Sequence, residues 1–288
     1  MCQIILWLPP AGSVVVGHSA TIAKDRIMPR FAANIAYMFN ERPTLLERIG
    51  AAARAGFKAI ELQFPYDIPP AILKAEVDKH GLTVLGLNTE RGEPELFGLT
   101  AQPGRESEFD AVFRTALDYA VAIGGNAVHC LAGKVPPHQR AAAERTYIAN
   151  LSRAADLAND KNIKLLIEPI NIMERPDYFL QSVEHAAEII GKVGRQNVRM
   201  QFDFYHVQIM QGDLIRRFER HLPVVGHVQI AAVPSRHEPD EGEINYPAIF
   251  DALDRLGYDG WVSCEYRNRA RTEDGLGWGK AYGLRTDT

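Results

Sequence analysis

The chain has 288 residues, 46% of them hydrophobic and 24% charged, which is enough apolar material for one large buried core. Its formal net charge of −4 excludes a broadly basic surface, so neither nucleic acid nor an anionic membrane is expected as a partner. A small molecule is the partner that this composition favours.

Residues 1–27 contain the apolar run IILWLPPAGSVVV, which could be mistaken for a targeting segment. No basic residue precedes the run, Pro9 and Pro10 interrupt it, and it is too short to span a bilayer as a helix. We therefore predict a disordered or non-native extension over residues 1–27 and one domain over residues 28–288. The lack of a signal peptide, together with three cysteines that suggest a reducing compartment, predicts a cytoplasmic protein.

Short apolar runs alternate with longer amphipathic stretches from residue 30 onward, which predicts repeated βα units around a parallel sheet. The amphipathic stretches predict helices, and several of them end in glycine, as helix C-caps often do. The expected strands cover Phe31 to Ala36, Ala59 to Gln63, Thr83 to Asn88, Ala127 to Leu131, Lys164 to Glu168, Val198 to Asp203, Gly226 to Ile230 and Trp261 to Glu265. Eight such units predict a single TIM (β/α)8 barrel. An open doubly wound sheet is the alternative, but the GxGxxG turn that it would usually carry is absent.

Four successive predicted strands, from the fifth to the eighth, end in a residue with an oxygen ligand. These residues are Glu168 in LLIEP, Asp203 in MQFDFYH, Gln229 in HVQIA and Glu265 in VSCEY. In a barrel they converge at the rim where active sites are built, and buried carboxylates there need compensation. Any one of them could instead be paired with a neighbouring lysine or arginine, but four together favour a cation. The all-oxygen set predicts Mg²⁺ or Mn²⁺, with Co²⁺ as a substitute, rather than zinc.

Six further side chains are expected near the same rim, where they could contact a substrate. They end a predicted strand or follow one, and they are His206, His129, Lys134, Arg236, His237 and Arg267. Together they would surround a carboxylate-bearing molecule with hydrogen-bond donors and positive charge. For each of them, a solvated loop charge or a hydrogen-bonded histidine is an equally good interpretation.

Seven segments closely resemble the hydroxypyruvate isomerase family, which includes the 2-oxo-tetronate isomerases and has a xylose isomerase-like barrel. The segments are MPRFAANIAYMF, FPYDIP, PGRESEF, LLIEPIN, QFDFYHVQIMQGD, HVQIAAVPSRHEPDEGEINYP and GWVSCEYRNR. The resemblance runs from Met28 to about Gly283, and RHEPDEGEINYP is among its most specific parts. The loop NTERGEPELFG departs from the longer PGDW…GERG pattern of many members, so Asn88 and Arg91 are weaker candidates for substrate contact.

The resemblance implies a reaction and roles for the strand-end residues. The implied reaction moves the carbonyl group between C2 and C3 of a small hydroxy-oxo acid, converting 2-oxo-tetronate to 3-oxo-tetronate through an enediolate. Glu168 and Glu265 are the implied proton-transferring pair, and a homodimer is compatible with the family. The implied ligands of an Mg²⁺-type ion are Glu168, Asp203, Gln229 and Glu265.

Three other functions stay open at this point. The nearest is hydroxypyruvate isomerase itself, which would convert hydroxypyruvate to tartronate semialdehyde. A metal-dependent endonuclease of the same barrel superfamily is more distant, because Gln229 stands where a histidine would help to bind zinc and the chain is acidic. The third is a barrel that binds a metabolite without converting it.

Overall fold

A ring of parallel strands with helices around it is formed by residues 29–286, the part of the chain that this computed structural model describes. The predicted extension over residues 1–27 lies outside the described residues. The strands are β1 (Arg30–Asn34), β2 (Ala59–Glu61), β3 (Thr83–Val84), β4 (Leu87–Asn88), β5 (Ala127–His129), β6 (Lys164–Ile167), β7 (Val198–Asp203), β8 (Val225–Ile230) and β9 (Trp261–Cys264). The α-helices are α1 (Leu45–Arg54), α2 (Pro70–Lys79), α3 (Glu106–Ile123), α4 (Arg140–Asn159), α5 (Val183–Val193), α6 (Phe204–Met210), α7 (Leu214–His221) and α8 (Tyr246–Leu256). Three short 3-10 segments cover Pro137–Gln139, Leu222–Val224 and Glu273–Tyr282.

The ring closes through the third predicted strand, which the structure divides into β3 and β4. The strand order is β3-β2-β1-β9-β8-β7-β6-β5-β4, and all strand pairs are parallel. Because β3 and β4 are separated only by Leu85 and Gly86, the two ends of this order are joined by the chain itself. A Cβ atom on Gly86 would lie 2.9 Å from the Ala127 carbonyl oxygen, so glycine allows β5 to approach at the interruption. The prediction of a TIM barrel is confirmed.

Several helices begin or end where the sequence supplies a cap. At the start of α1, the Thr44 hydroxyl accepts a hydrogen bond from the Glu47 amide at 3.2 Å, and the Glu47 carboxylate accepts one from the Thr44 amide at 3.0 Å. Helices α3, α5 and α8 each end at a glycine with positive φ. Helix residues such as Phe113, Ile189 and Phe250 are buried in the main apolar core. Within the described residues, no helix combines the length and the apolar character that crossing a bilayer requires.

The inside of the ring is unusually polar. Glu61, Gln201, His227 and Gln229 are all buried there. Glu61 on β2 meets two residues of β8 across the ring, because one carboxylate oxygen accepts from Gln229 Nε2 at 2.8 Å and the other lies 3.3 Å from His227 Nε2. Buried polar groups are tolerated when they are hydrogen-bonded, so this network supports the strand ends above it.

Main-chain hydrogen bonds join the loops that follow β4, β5 and β6 at the rim where the strands end. The Lys134 amide donates to the Leu96 carbonyl oxygen at 2.7 Å, and the Phe179 amide donates to the Gly133 carbonyl oxygen at 2.8 Å. We call these three joined loops the rim platform. Side-chain bonds, such as those from Gln102 Nε2 to the Lys134 carbonyl oxygen and from the Ala132 amide to the Tyr178 hydroxyl, add to these main-chain bonds.

A substitution in the rim platform tests how closely its loops approach. Gly98 has a φ of +140°, and a Cβ atom there would lie 2.4 Å from the Leu131 carbonyl oxygen. Gly104 has a φ of +83° with nothing within 4 Å of the added atom. We expect Gly98→Ala to lower the free energy of unfolding by about 2–5 kcal/mol and Gly104→Ala to lower it by only about 1–2 kcal/mol. An alanine is strained by the positive φ at both positions, but its Cβ atom clashes with the backbone only at position 98. Urea unfolding measures the difference, and equal losses would contradict the close approach.

Candidate active site

Four buried side chains with oxygen or nitrogen ligand atoms meet above the ring. Glu168 directly follows β6, Asp203 ends β7, and Glu265 directly follows β9. His206 joins them from the first turn of α6, which begins immediately after β7. Each of the four offers one atom within 4.8 Å of the others, so a single ion could contact them together. The predicted convergence of Glu168, Asp203 and Glu265 at one rim is what the structure shows.

The donor set fits a divalent cation. Glu168 Oε1 and Asp203 Oδ2 are buried, and neither has a hydrogen-bond partner among the described residues. A buried carboxylate oxygen without a partner is costly, and a bound cation is the usual compensation. The group can therefore bind a metal ion, and its carboxylate oxygens are the ligands that hard cations prefer.

Burial and mutual repulsion change the acidity of the three carboxyl groups. Burial raises the pKa of Glu168 well above its usual range, and the charges of Glu265 and Asp203 raise it further. Burial also raises the pKa of Glu265 to about 8 and that of Asp203 to about 6, although the nearby Arg236 opposes both shifts. Without a cation, the folded protein thus holds protons on this cluster at neutral pH.

Hydrogen bonds fix the proton position on His206. The Glu174 amide donates to Asn171 Oδ1 at 2.8 Å, so the amide nitrogen of Asn171 is the atom that faces the His206 ring. That nitrogen lies 2.7 Å from His206 Nδ1, which must accept, and the neutral ring therefore carries its proton on Nε2. Burial lowers the pKa of His206 and keeps the ring neutral. Its Nε2–H is directed at oxygen acceptors, 3.6 Å from Asp203 Oδ2, which suits a substrate contact better than a metal ligand.

Gln229 reaches the cluster as a hydrogen-bond donor in this structure. Its Nε2 lies 3.3 Å from Glu265 Oε1 and 2.8 Å from Glu61 Oε1, and its Oε1 accepts from Gln201 Nε2 at 2.8 Å. Burial alone would raise the pKa of Glu61, but His227 and the hydrogen bonds from His227, Ser263 and Gln229 outweigh it and lower that pKa. To bind a metal, Gln229 would have to turn its amide oxygen towards the cluster, so that role stays a prediction.

Arg236 is the positive charge closest to the cluster. It is buried, and its guanidinium donates to Glu265 Oε2 at 2.6 Å and to Glu174 Oε2 at 2.5 Å. The rings of Tyr37 and Tyr205 lie 4.8 and 4.9 Å from it. Both terminal nitrogens of Arg236 already donate to carboxyl oxygens, so in this structure it orients Glu265 and has few donors left for a substrate anion.

A small cavity opens beside the cluster and is lined by five of the predicted residues. These are Glu168, Glu265, His206, His129 and Arg236. Burial lowers the pKa of His129 to about 4, so this ring is neutral as well.

Three of the predicted substrate contacts are not part of the cavity wall. The structure places Lys134, His237 and Arg267 outside the lining. The Arg267 side chain is exposed to solvent, and its carbonyl oxygen lies 2.7 Å from His237 Nδ1. They follow the correct strands but do not line the cavity, because position in a loop does not determine where a side chain is directed.

Several lining residues are not singled out by the sequence. They are Tyr37, Gln63, Phe64, Phe97, Glu174 and Arg175, and the weaker candidates Asn88 and Arg91 also line the cavity. Gln63 carries a usable signal, since it lies just beyond a strand end, like Glu168 and Glu265. The loop residues carry no such signal in the sequence, because only the folded loops bring them over the ring.

Comparison with known proteins shows to which family this chain belongs. A family model described as xylose isomerase-like TIM barrel matches residues 49–282. The chain belongs to this family. A 2-oxo-tetronate isomerase from Cupriavidus necator is 46% identical over 258 residues, which are 88% of this chain and 99% of the relative. A Xenopus laevis relative, named provisionally as a hydroxypyruvate isomerase, is 41% identical over 262 residues, which are 88% of this chain and 95% of its own. The predicted isomerase class and family resemblance are confirmed.

One solved structure is similar over nearly the whole barrel. It is described as an AP endonuclease of family 2 from Brucella melitensis, with 44% identity and a TM-score of 0.87. The match covers 89% of this chain and all of that one. At this similarity the two chains share the fold.

The raised carboxyl pKa values predict how metal binding depends on pH. A carboxyl group whose pKa is higher in the folded state makes the metal-free protein less stable as pH rises from about 4.5 towards 8, because the unfolded chain gives up its protons first. A divalent ion replaces those protons, so its affinity should rise over the same range and binding should release protons. We expect Mn²⁺ to raise the melting temperature of chelated protein more at pH 8.5 than at pH 6. Equal increases at both pH values would contradict the assignment of the cluster as the binding site.

Proposed function

We propose that this isomerase is metal-dependent and moves the carbonyl group between C2 and C3 of 2-oxo-tetronate, giving 3-oxo-tetronate. The observation that carries the proposal is the buried group of four side chains with its unpartnered carboxylate oxygens, namely Glu168, Asp203, His206 and Glu265. The 46% identity to a 2-oxo-tetronate isomerase supports the choice of substrate. The cavity beside the group is small, and charged and polar side chains such as His129, Arg91 and Arg175 line it. A small hydroxy-oxo acid is therefore the proposed substrate.

The proposed metal is Mg²⁺ or Mn²⁺, and Co²⁺ is a substitute. Its ligands would be carboxylate oxygens of Glu168, Asp203 and Glu265, with Gln229 as the predicted fourth ligand. When bound, such an ion supplies Lewis acidity that stabilises the negative charge developing on the two oxygens of the substrate. The hard oxygen donors support this choice over zinc.

Glu168 and Glu265 are the proposed proton-transferring pair. One carboxylate takes the proton from C3, the electron pair forms the enediolate, and the other glutamate returns a proton to C2. The hydroxyl proton moves from the C3 oxygen to the C2 oxygen, so the carbonyl group ends on C3. Both glutamates line the cavity, so their carboxyl groups are within reach of a substrate bound there.

Two neutral histidines would orient the substrate. His206 presents Nε2–H to an oxygen at the reacting carbons, since its other nitrogen accepts from Asn171. The Nε2 atom of His129 is buried without a partner among the described residues, and this ring lines the same cavity. A substrate hydroxyl or carbonyl oxygen would give it a partner.

Hydroxypyruvate isomerase is the second candidate function, which the Xenopus laevis relative favours. Its substrate is shorter by one carbinol unit, and the same proton transfer would produce tartronate semialdehyde. Endonuclease activity is a more distant candidate, which the description of the Brucella melitensis structure raises. The net charge of −4 argues against it, and absence of cleavage of an abasic duplex would close that option.

A cytoplasmic location and a homodimer stay predictions. Cys130 and Cys264 are free and buried, which is compatible with a reducing compartment. Neither a nucleic acid nor a membrane is proposed as a partner.

A direct assay tests the proposed reaction. Purified protein is stripped with a chelator, and 2-oxo-tetronate and hydroxypyruvate are followed separately by NMR with and without added Mg²⁺ or Mn²⁺. We expect turnover only after metal is restored, with the larger kcat/KM for 2-oxo-tetronate. A far larger kcat/KM for hydroxypyruvate would reverse the substrate assignment, and turnover of neither acid would overturn the proposed function.

Replacing Glu265 by Gln tests the proton-transferring role. We expect kcat to fall by at least about 10³-fold, because a positioned acid or base contributes on the order of 10²–10⁴ and a ligand is weakened as well. The fold should survive, since glutamine has the same shape and removes a repelling charge from a buried group. Glu188→Gln, at an exposed position on α5, is the matched control and should keep full activity. A fully active Glu265→Gln protein would remove Glu265 from this role.

A further inference from the structure

Two arginines at the cavity wall are not explained by the metal cluster. Arg91 lies in the loop that follows β4, and Arg175 lies in the loop that follows β6. Both line the cavity that Glu168 and Glu265 also line. The two loops belong to the rim platform, so their backbones are fixed relative to each other.

Neither guanidinium has a carboxylate partner among residues 29–286, unlike Arg236. Arg175 donates from Nη1 to the carbonyl oxygen of Glu174 at 2.8 Å, while its Nε atom is buried without a partner. Burial lowers the pKa of Arg91, and the positive charge of Arg175 lowers it further. Both guanidiniums also contact the same Phe97 ring, so two like charges lie near each other, which is unfavourable until an anion binds.

Aromatic rings hold both groups in place. The Arg91 guanidinium lies 4.2 Å from the Phe64 ring and 5.0 Å from the Phe97 ring, and the Arg175 guanidinium lies 4.3 Å from the Phe97 ring. Contact with a ring face orients a guanidinium and leaves its N–H edge available. The edge is the part that binds carboxylates in the two-bond geometry typical of arginine.

No other positive group in the lining of this cavity is equally available to a substrate anion. Both terminal nitrogens of Arg236 already donate to Glu174 and Glu265, and Lys134, His237 and Arg267 lie outside the lining. The metal cluster itself is built from acidic groups, which repel a carboxylate except through the ion.

We propose that Arg91 and Arg175 form the subsite that binds the substrate carboxylate. The substrate then extends from the rim platform past His129, with C2 and C3 at the metal cluster. This inference rests on the proposed function, because it assumes that the substrate is a small oxo acid. Arg91 and Phe97 lie in NTERGEPELFG, the loop that departs from the family pattern, so the resemblance does not imply this subsite.

The subsite determines specificity for acids over neutral sugars. A hydrogen bond to a charged group is worth enough that losing it reduces affinity by roughly 10- to 100-fold. Erythrulose differs from 2-oxo-tetronate only in having a hydroxymethyl group in place of the carboxylate. The wild-type protein should therefore prefer the acid, and removal of either arginine should reduce that preference without changing the reaction of the ketose.

The experiment compares acid and neutral ligands for wild type, Arg91→Gln and Arg175→Gln, all loaded with Mn²⁺. Calorimetry measures binding of erythronate, which has no carbonyl group to isomerise, and of its neutral counterpart erythritol. Turnover of 2-oxo-tetronate and erythrulose is measured on the same preparations. We expect each variant to lose about 10- to 100-fold in erythronate affinity and in kcat/KM for the acid, with the neutral ligands within about threefold of wild type. Arg175→Lys should recover part of the loss.

The control is Arg195→Gln, which removes an exposed arginine paired with Asp156 on the helical surface. It should behave as wild type with all ligands. Variants that retain the erythronate preference, or a wild-type protein without one, overturn the subsite. Turnover of neither oxo acid by the wild type, combined with loss of erythronate binding in the variants, overturns the proposed reaction and leaves the anion subsite supported.

Discussion

Several carboxylates share one small, nearly dry space at the end of the barrel strands, and the rest of the site depends on this constraint. Three acids cannot all ionise there without a counter-charge, because burial and mutual repulsion both favour the protonated form. The protein supplies only part of that charge, through Arg236. The remainder has to come from protons or from a bound cation. Because protons and the cation compete for the same carboxyl oxygens, the protonation of the cluster and its binding of a cation are linked.

The surrounding hydrogen bonds fix the positions of the side chains in and around the cluster. Asn171 sets the proton position on His206, and Arg236 holds Glu265 from one side while Gln229 approaches it from the other. Below them, Glu61 ties β2 to β8 across the ring. A hydrogen-bonded polar layer of this kind restricts the positions of its side chains, because each has few alternative partners. The barrel interior thus acts as the support of the site as well as the centre of the fold.

Much of this arrangement can be predicted from the sequence, and the limit has a physical cause. Strands and helices alternate along the chain, and the carboxyl ends of parallel strands meet at one rim of the barrel. This order is sufficient to assign Glu168, Asp203 and Glu265 to that rim. The sequence predicts a continuous third strand, whereas the structure interrupts it at Gly86. The segment before the interruption pairs with β2 and the segment after it pairs with β5. A glycine in a strand does not show from the sequence alone whether the pairing partner changes there. Loop residues such as Arg175 cannot be predicted, because their direction depends on contacts between loops that lie far apart in the sequence.

The rim platform has a consequence for how this barrel can change over evolutionary time. Its loops are connected through main-chain atoms, such as the bond from the Phe179 amide to the Gly133 carbonyl oxygen, and these bonds do not depend on side-chain identity. Except for glycines such as Gly98 and Gly133, where a Cβ atom would meet the backbone of a neighbouring loop, residues displayed on the platform can therefore be exchanged without moving the backbone that displays them. Selection for a new metabolite can act on the mouth of the cavity while the proton-transferring strand ends stay constant. The same separation makes the platform a suitable region for combinatorial libraries that aim to retarget the barrel to other acids.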